Sequence, residues 1–258
     1  MTKQRQGLDK PSRRDHDRRM QELVLDYPEQ ALQLFAADEA ERIDQGAKIS
    51  SLRQEMSKHK LSRPLRRLDV PMLVEWSNGE REGLIFVIES ESRSRAFNIH
   101  RLAHYCLDLS ELKGLTRVVP VVVFLDSGSA PGELRLEGDQ GVYLNFWYRS
   151  FVLPNHHYSV YQDSDNIVAR ISLPLMNWKN PQEKVAVCAK AVMGICELEP
   201  DPDKQLKWLE NVDKYTDLNE DELEQLRREF PQEGSTMTGL VERTREETRK
   251  ETVQEMQV

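Results

Sequence analysis

Residues 68–91, LDVPMLVEWSNGEREGLIFVIESE, hold the pattern on which the fold turns. Two apolar runs, Leu68 to Trp76 and Leu84 to Ile88, flank Ser77-Asn78-Gly79-Glu80. An Asn-Gly pair between such runs predicts a β-hairpin, because both residues accept the positive φ that tight turns require. The register has two options. A two-residue Asn78-Gly79 loop pairs positions whose numbers sum to 157, which sets Asp69 opposite Ile88 and turns it away from Glu89. A three-residue loop, Asn78–Glu80 with a bulge, gives a sum of 158 and sets Asp69 opposite Glu89. Leu68, Val70, Met72, Val74 and Trp76 are even-numbered, as are Leu84, Phe86 and Ile88. An even sum gathers them on one face, and a one-residue slip would separate them. The even register is therefore expected.

Working outward, Ile99, Leu102, Ala103, Cys106 and Leu109 recur at helical spacing, which predicts a helix over Phe97–Leu109. Val118–Leu125 is a continuous apolar run, expected as a strand buried on both faces, with Pro120 where no ladder donor is needed. Upstream, Asp26-Tyr27-Pro28-Glu29 fits a helix start: Asp26 as cap, Pro28 in the first turn, Glu29 completing a capping box. A polar stretch of helical propensity runs on to about Lys60. Downstream, Gly141–Tyr148 and Ile167–Leu173 are strand candidates in turn-rich text. Helices are expected over Pro181–Leu198, Asp203–Tyr215 and Asn219–Phe230, and VERTREETRKETVQEMQV reads as a charged helix. The expected organisation is a disordered basic tail over 1–19, an α/β domain over 20–178, a helical region over 179–230 and a charged helical tail over 231–258.

Charge supports that division. Of the 258 residues 38% are apolar, below the ~45–50% of an ordinary domain. Residues 1–19 carry seven basic and three acidic side chains, whereas 201–258 carry nine basic and sixteen acidic. The net charge of -8 argues against binding nucleic acid by bulk charge, though not against a local basic groove. No apolar run approaches 18 residues, so no membrane partner is expected. The start lacks the apolar stretch of a secretory signal. The odd set Cys106, Cys188 and Cys196, without a Cys-x-x-Cys pair, reads as reduced thiols of a cytoplasmic protein.

Three acids stand out by position. Asp69 opens the first hairpin strand, and Glu89 and Glu91 close the second, two apart and so on one face. Clustered carboxylates repel unless a hard divalent cation neutralises them or a pKa rises. Such a cation, Mg2+ or Mn2+, can hold a phosphate oxygen and activate water. The competing reading is that these acids merely end strands and face water. Arg93, Arg95, His100, Arg101 and His104 follow within or just before the next helix, and Arg101 and Tyr105 lie one turn apart. They could hold a phosphate near a metal, or form a solvated helix face. Adjacent His156 and His157 point oppositely in extended chain and make a poor metal pair. Trp76, Trp147, Trp178 and Trp208 are expected to pack, and Cys106 falls on the apolar stripe. The SGSAPG stretch lacks the Lys and the strand–helix setting of a phosphate loop.

LDVPMLVEWSNGEREGLIFVIESESRSRAFNIHRLAHYCLDL, with the following RVVPVVVFL, resembles the recombination-promoting nuclease and putative transposase proteins of bacteria, members of the PD-(D/E)XK nuclease superfamily. The resemblance covers residues 65–130 best. It implies an α+β (α/β) fold: a nuclease-like mixed central sheet flanked by helices in α-β-β-β-α-β order, here with a helical C-terminal extension. The third strand has room only at Leu61–Arg67. It also implies Mg2+ or Mn2+ held by Asp69 and Glu89. Glu91 stands where the superfamily has Lys and this family commonly Gln. Such a Glu assists at the metal or marks an inactive site. Arg101 and Tyr105 resemble a Gln-x-x-x-Tyr helix, with Arg for Gln, and Glu29 resembles the first-helix acid.

The expectation is a metal-dependent DNA endonuclease with Asp69, Glu89 and Glu91 as catalytic residues, and Arg95, His100, Arg101 and Tyr105 toward phosphate. The alternative is a catalytically degenerate nuclease fold serving as an interaction or regulatory module. A homo-oligomer formed through the C-terminal helices, residues 201–258, is compatible with either.

Overall fold

A computed structural model describes residues 13–43, 46–52, 69–89, 97–128, 130–180 and 182–240. The chain divides into two compact units, Ser12–Asn155 and, with Met1–Pro11, His156–Val258. The boundary thus falls near residue 155 rather than 178. Among the described residues no helix is long and apolar enough to cross a membrane.

The Ser12–Asn155 unit is a mixed α/β structure. Helices α1 (Arg13–Asp26), α2 (Pro28–Phe35) and α3 (Ala37–Ala40) precede β1 (Lys48–Ser51), β2 (Asp69–Glu75) and β3 (Arg81–Glu89). Then come α4 (Ile99–Lys113), β4 (Val118–Phe124), a hairpin of β5 (Glu133–Gly138) and β6 (Gly141–Trp147), and β7 (Arg149–Val152). The main sheet has the order β1-β2-β3-β4-β7, antiparallel from β1 to β3 and parallel from β3 to β7.

Several expectations change here. Residues 13–19, expected as tail, are helical: α1 starts at Arg13 and seats Met20, Leu23 and Val24 in the core. Asp26 does not cap the next helix. It is the last residue of α1, and Tyr27 takes the N-cap of α2 without a side-chain bond, while Pro28 keeps its first-turn place. The third strand of the meander is Lys48–Ser51, inside the stretch expected to be helical. Leu61–Arg67 lies outside the described residues.

The β2–β3 hairpin closes through Ser77-Asn78-Gly79. Gly79 N–H donates to Trp76 O at 3.0 Å, Trp76 N–H to Glu80 O at 2.9 Å, and Gly79 has φ +86°. This is the three-residue loop with a left-handed last residue. It sits one residue earlier than expected, so paired numbers sum to 156 rather than 158 and Asp69 lies opposite Val87. The parity is still even: Val70 pairs with Phe86 and Met72 with Leu84.

Two prolines interrupt the sheet at permissive points. Pro71 lies one residue outside the β1 ladder, which spans Met72–Glu75, and Pro120 one residue before the β7 ladder, which starts at Val121. Each strand thus has one side without a ladder partner where the proline lacks its N–H. Leu73 on β2 and Val122 and Phe124 on β4 join Ile99, Leu102, Tyr105, Cys106 and Leu109 of α4 in one core cluster. The opposite face meets the first helices, where Phe35 of α2 stands edge-on to Phe151 of β7 at 5.2 Å. Full burial of each such side chain is worth about 1.5–3 kcal/mol.

The His156–Val258 unit is helical: α5 (Ile167–Ser172), α6 (Glu183–Leu198), α7 (Pro202–Thr216), α8 (Glu220–Glu229) and a helical run over 231–240. Ile167–Leu173, expected as a strand, is instead helix α5 and the start of a 3-10 turn. Asn166 Oδ1 accepts from Ala169 N–H at 3.1 Å and starts it, and all six residues of α5 are buried. All-round burial erases the 3.6-residue stripe by which a helix is recognised. Asn219 and Glu222 form a full capping box on α8. Lys184 Nζ, in the first turn of α6, reaches Glu222 at 2.7 Å and Asp217 O at 2.9 Å.

Ser172 is fully buried, and among the described residues its Oγ has no hydrogen-bond partner. A buried hydroxyl left unbonded costs about 1–3 kcal/mol. Ser172→Ala is therefore expected to leave the urea midpoint unchanged or raise it; a clear drop would mean that the hydroxyl is used.

Candidate functional site

The even register decides where the hairpin's acids fall. Positions 69, 87 and 89 share one face, since Asp69 pairs with Val87, and Glu89 lies two residues further along β3. On β4, Val122 pairs with Val87 and Phe124 with Glu89. Val122 and Phe124 belong to the cluster under α4, as does Leu73 on the parity of Asp69. Asp69 and Glu89 therefore occupy neighbouring rungs at one end of the sheet, on the face that α4 covers. At these two positions the structure describes the backbone. Glu91, Arg93 and Arg95 lie outside the described residues.

Helix α4 brings its N-terminal turns to the same end, where Phe97 meets Phe124 of β4. Asn98 sets its phase by accepting from Arg101 N–H at 3.0 Å. Phe97, just before it, stands edge-on to Phe124, the register partner of Glu89, at 5.7 Å. With that phase, Tyr105 is fully buried and Arg101 is 7% exposed, while His100 is exposed and His104 half-buried. The basic residues expected to act together are thus divided. His100 faces water, and Arg101 and Tyr105 point inward beside the hydrophobic cluster. A buried guanidinium is tolerable only where hydrogen bonds and negative charge compensate it, and positions 69 and 89 are the acids that the register puts at that end.

Glu29 does not join them. It lines a cavity with Leu32, Ile43 and Ile49. Ile49 pairs with Val74, five residues along β2 from Asp69, a separation of about 16 Å at the strand rise. Among the described residues no group of three His, Cys, Asp or Glu side chains is arranged to hold a metal. His156 and His157 take different partners, as their adjacency requires: His156 Nδ1 meets Tyr161 OH at 3.3 Å, and His157 Nδ1 meets Ser159 Oγ at 2.8 Å.

Cys106 is core, and burial pushes its thiol up from 9.0 to about 12. Between those values the unfolded chain gives up this proton and the fold keeps it, so stability falls as pH rises from 9 towards 12. The slope approaches about 1.4 kcal/mol per pH unit. Denaturation midpoints between pH 8 and 10 should fall less steeply in Cys106→Ala than in the parent. Cys196 is the exposed thiol of the three, with Cys188 and Cys106 buried.

Trp147 departs from the expectation that the tryptophans pack. Trp76 is 7% and Trp208 1% exposed, but Trp147 is 72% exposed. The signal was present in the alternation of Gly141–Trp147, where Tyr143, Asn145 and Trp147 share a parity with a polar member among them.

Comparison of the chain with known protein families, with curated proteins and with solved structures finds no match.

Proposed function

We propose that this chain is a metal-dependent DNA endonuclease of the PD-(D/E)XK type, related to the recombination-promoting nucleases and transposase-like proteins. The observation that carries the reading is the pairing of β2 with β3, which gives Asp69 and Glu89 neighbouring rungs on the face beneath α4. The order helix, three-stranded meander, helix, parallel strand supports it.

Two carboxylates from adjacent strands are hard oxygen donors of the kind that Mg2+ and Mn2+ take. Asp69 and Glu89 would hold the ion, which supplies a hold on a phosphate oxygen and a more acidic water. By the same resemblance Glu91 would assist at the metal, and Arg95 and His100 would serve to hold phosphate. Arg101 lies buried one turn before Tyr105, and its charge balances the carboxylates and steadies their geometry. The test is plasmid nicking: purified chain and supercoiled DNA with Mg2+, Mn2+ or chelator. Nicking that proceeds equally with chelator present would refute the reading.

A second reading, a nuclease fold retained as an interaction module, is favoured by one observation. A buried Arg101 at the acidic end can neutralise carboxylates without a metal. Titration calorimetry distinguishes the two, since the module predicts no Mg2+ binding that depends on Asp69.

A further inference from the structure

Helix α4 runs back along the sheet, because it joins β3 to its parallel neighbour β4. Its two ends agree with that direction. At the C-terminal end, Lys113 and Gly114 line a cavity with Gly79 and Glu80 at the β2–β3 turn. At the N-terminal end, Phe97 meets Phe124, the register partner of Glu89. Arg101 is one turn in from Phe97 and buried, so it enters the covered face near the rungs of Asp69 and Glu89.

Asp108 is the buried acid of α4 itself. It lies seven residues beyond Arg101, about 10 Å along the helix. Side chains on a helix lean toward its N-terminus. The Arg101 side chain therefore leans away from Asp108 and toward the acidic end of the sheet.

A cation in that place changes what the two carboxylates can do. They attract a guanidinium and a divalent ion alike, so the two cations compete for the same oxygens. Two carboxylates outweigh one guanidinium, so the metal-free end stays acidic and repels phosphate. With a divalent ion added, positive charge outweighs negative, and phosphate is drawn in.

We propose that Arg101 is the resident competitor of the metal at Asp69 and Glu89, and that it imposes an order of binding, metal first and DNA second. The inference rests on the nuclease reading and extends it from the ligands to the order of events. Loading the metal forfeits the attraction of Arg101 for the carboxylates, and a DNA phosphate then takes up the released charge. By linkage, metal and DNA tighten each other's binding by the same factor.

The experiment is titration calorimetry of Mg2+ into the full chain, paired with anisotropy of a labelled DNA duplex in Ca2+ or in chelator. Ca2+ is a hard ion that takes the same oxygen donors. Arg101→Gln is expected to bind Mg2+ about tenfold more tightly than the parent, whereas a merely structural Arg101 predicts weaker binding. Arg101→Lys should restore affinity toward the parent value. Ca2+ should tighten DNA binding by the parent about tenfold.

Circular dichroism checks the fold of the variants. Should they fail to fold, phenylglyoxal labelling of the parent, mapped by mass spectrometry, decides: Arg101 should react faster in saturating Mg2+ than in chelator. Equal reactivity overturns the proposal, and equal DNA affinity in Ca2+ and in chelator overturns the order. Parent binding of Mg2+ that is lost in Asp69→Ala, with Arg101→Gln binding no more tightly, overturns the competition and leaves the nuclease reading standing. Absence of Mg2+ binding in parent and variants alike overturns both.

Discussion

Asp69→Ala and Glu89→Ala should each abolish metal-dependent nicking while leaving the β2–β3 ladder in place. Asp69 opens β2 and Glu89 closes β3, so neither is an interior position of the sheet. Their loss removes no ladder bond, since pairing of β2 with β3 runs through the main chain. If the two carboxylates hold one ion, deleting either costs several kcal/mol of charge stabilisation in the transition state. At 1.36 kcal/mol per tenfold, that is about a thousandfold in rate. The informative contrast is His100→Ala: His100 is exposed on α4, and its removal should weaken DNA binding modestly without removing the metal requirement. Nicking retained in full by both acid variants would separate the activity from the hairpin end. Calorimetry on the same proteins adds a readout independent of turnover, because Mg2+ binding should vanish with Asp69.

Gly194→Ala should strongly destabilise the helical unit. Arg170 leaves α5 and crosses α6 at Gly194, where its Nε and Nη2 donate to Lys190 O at 3.1 and 2.8 Å. A Cβ on residue 194 would lie 2.7 Å from both Cβ and Cγ of Arg170. These atoms sit at the root of the side chain and cannot move aside without moving α5. Arg170 is 4% exposed, and burial lowers its pKa although Glu197, Asp163 and Asp165 pull the other way. Displacing it would strand a buried cation. Overpacking costs about 1–3 kcal/mol, and a broken buried charge adds to that. For a unit of this size each kcal/mol lowers Tm by about 4–8 °C, so a fall of about 10 °C or more is expected by calorimetry. Arg170→Ala should relieve the clash, making the double variant less unstable than the sum of the two single variants. Strict additivity would mean that the two residues do not act on each other.

The hairpin was legible because period-two alternation and Asn78-Gly79 agree on it. The loop was misplaced by one residue because the sequence does not say which turn position takes positive φ, and Gly79 fills the last one. Parity survived that slip, and with it the shared face of positions 69 and 89. Strand β1 was illegible: Lys48–Ser51 is short and half-exposed, and only its pairing with Met72–Glu75 makes it a strand. Helix α5 was misread because burial on every side removes periodicity. Arg101 was expected to reach a phosphate; the Asn98 cap fixes the phase that turns it inward. The metal, the substrate and the role of Glu91 rest on resemblance and on the proposed chemistry, not on the backbone.

The return from β4 to β7 has a consequence for how this chain tolerates change. Parallel neighbours need the chain to come back along the sheet, from Phe124 to Arg149, whose partner is Val121. The direct distance is about 10 Å, although a connection between parallel neighbours has to cross a face of the sheet and needs about a dozen residues. The chain uses residues 125–148 instead and raises a hairpin from the surplus. Most of that length is unconstrained by the sheet it connects. It can lengthen, shorten or exchange its outer face while Leu134, Phe146 and Tyr148 keep their seats on the core. The outer face of the hairpin can therefore change in sequence without disturbing the sheet beneath it.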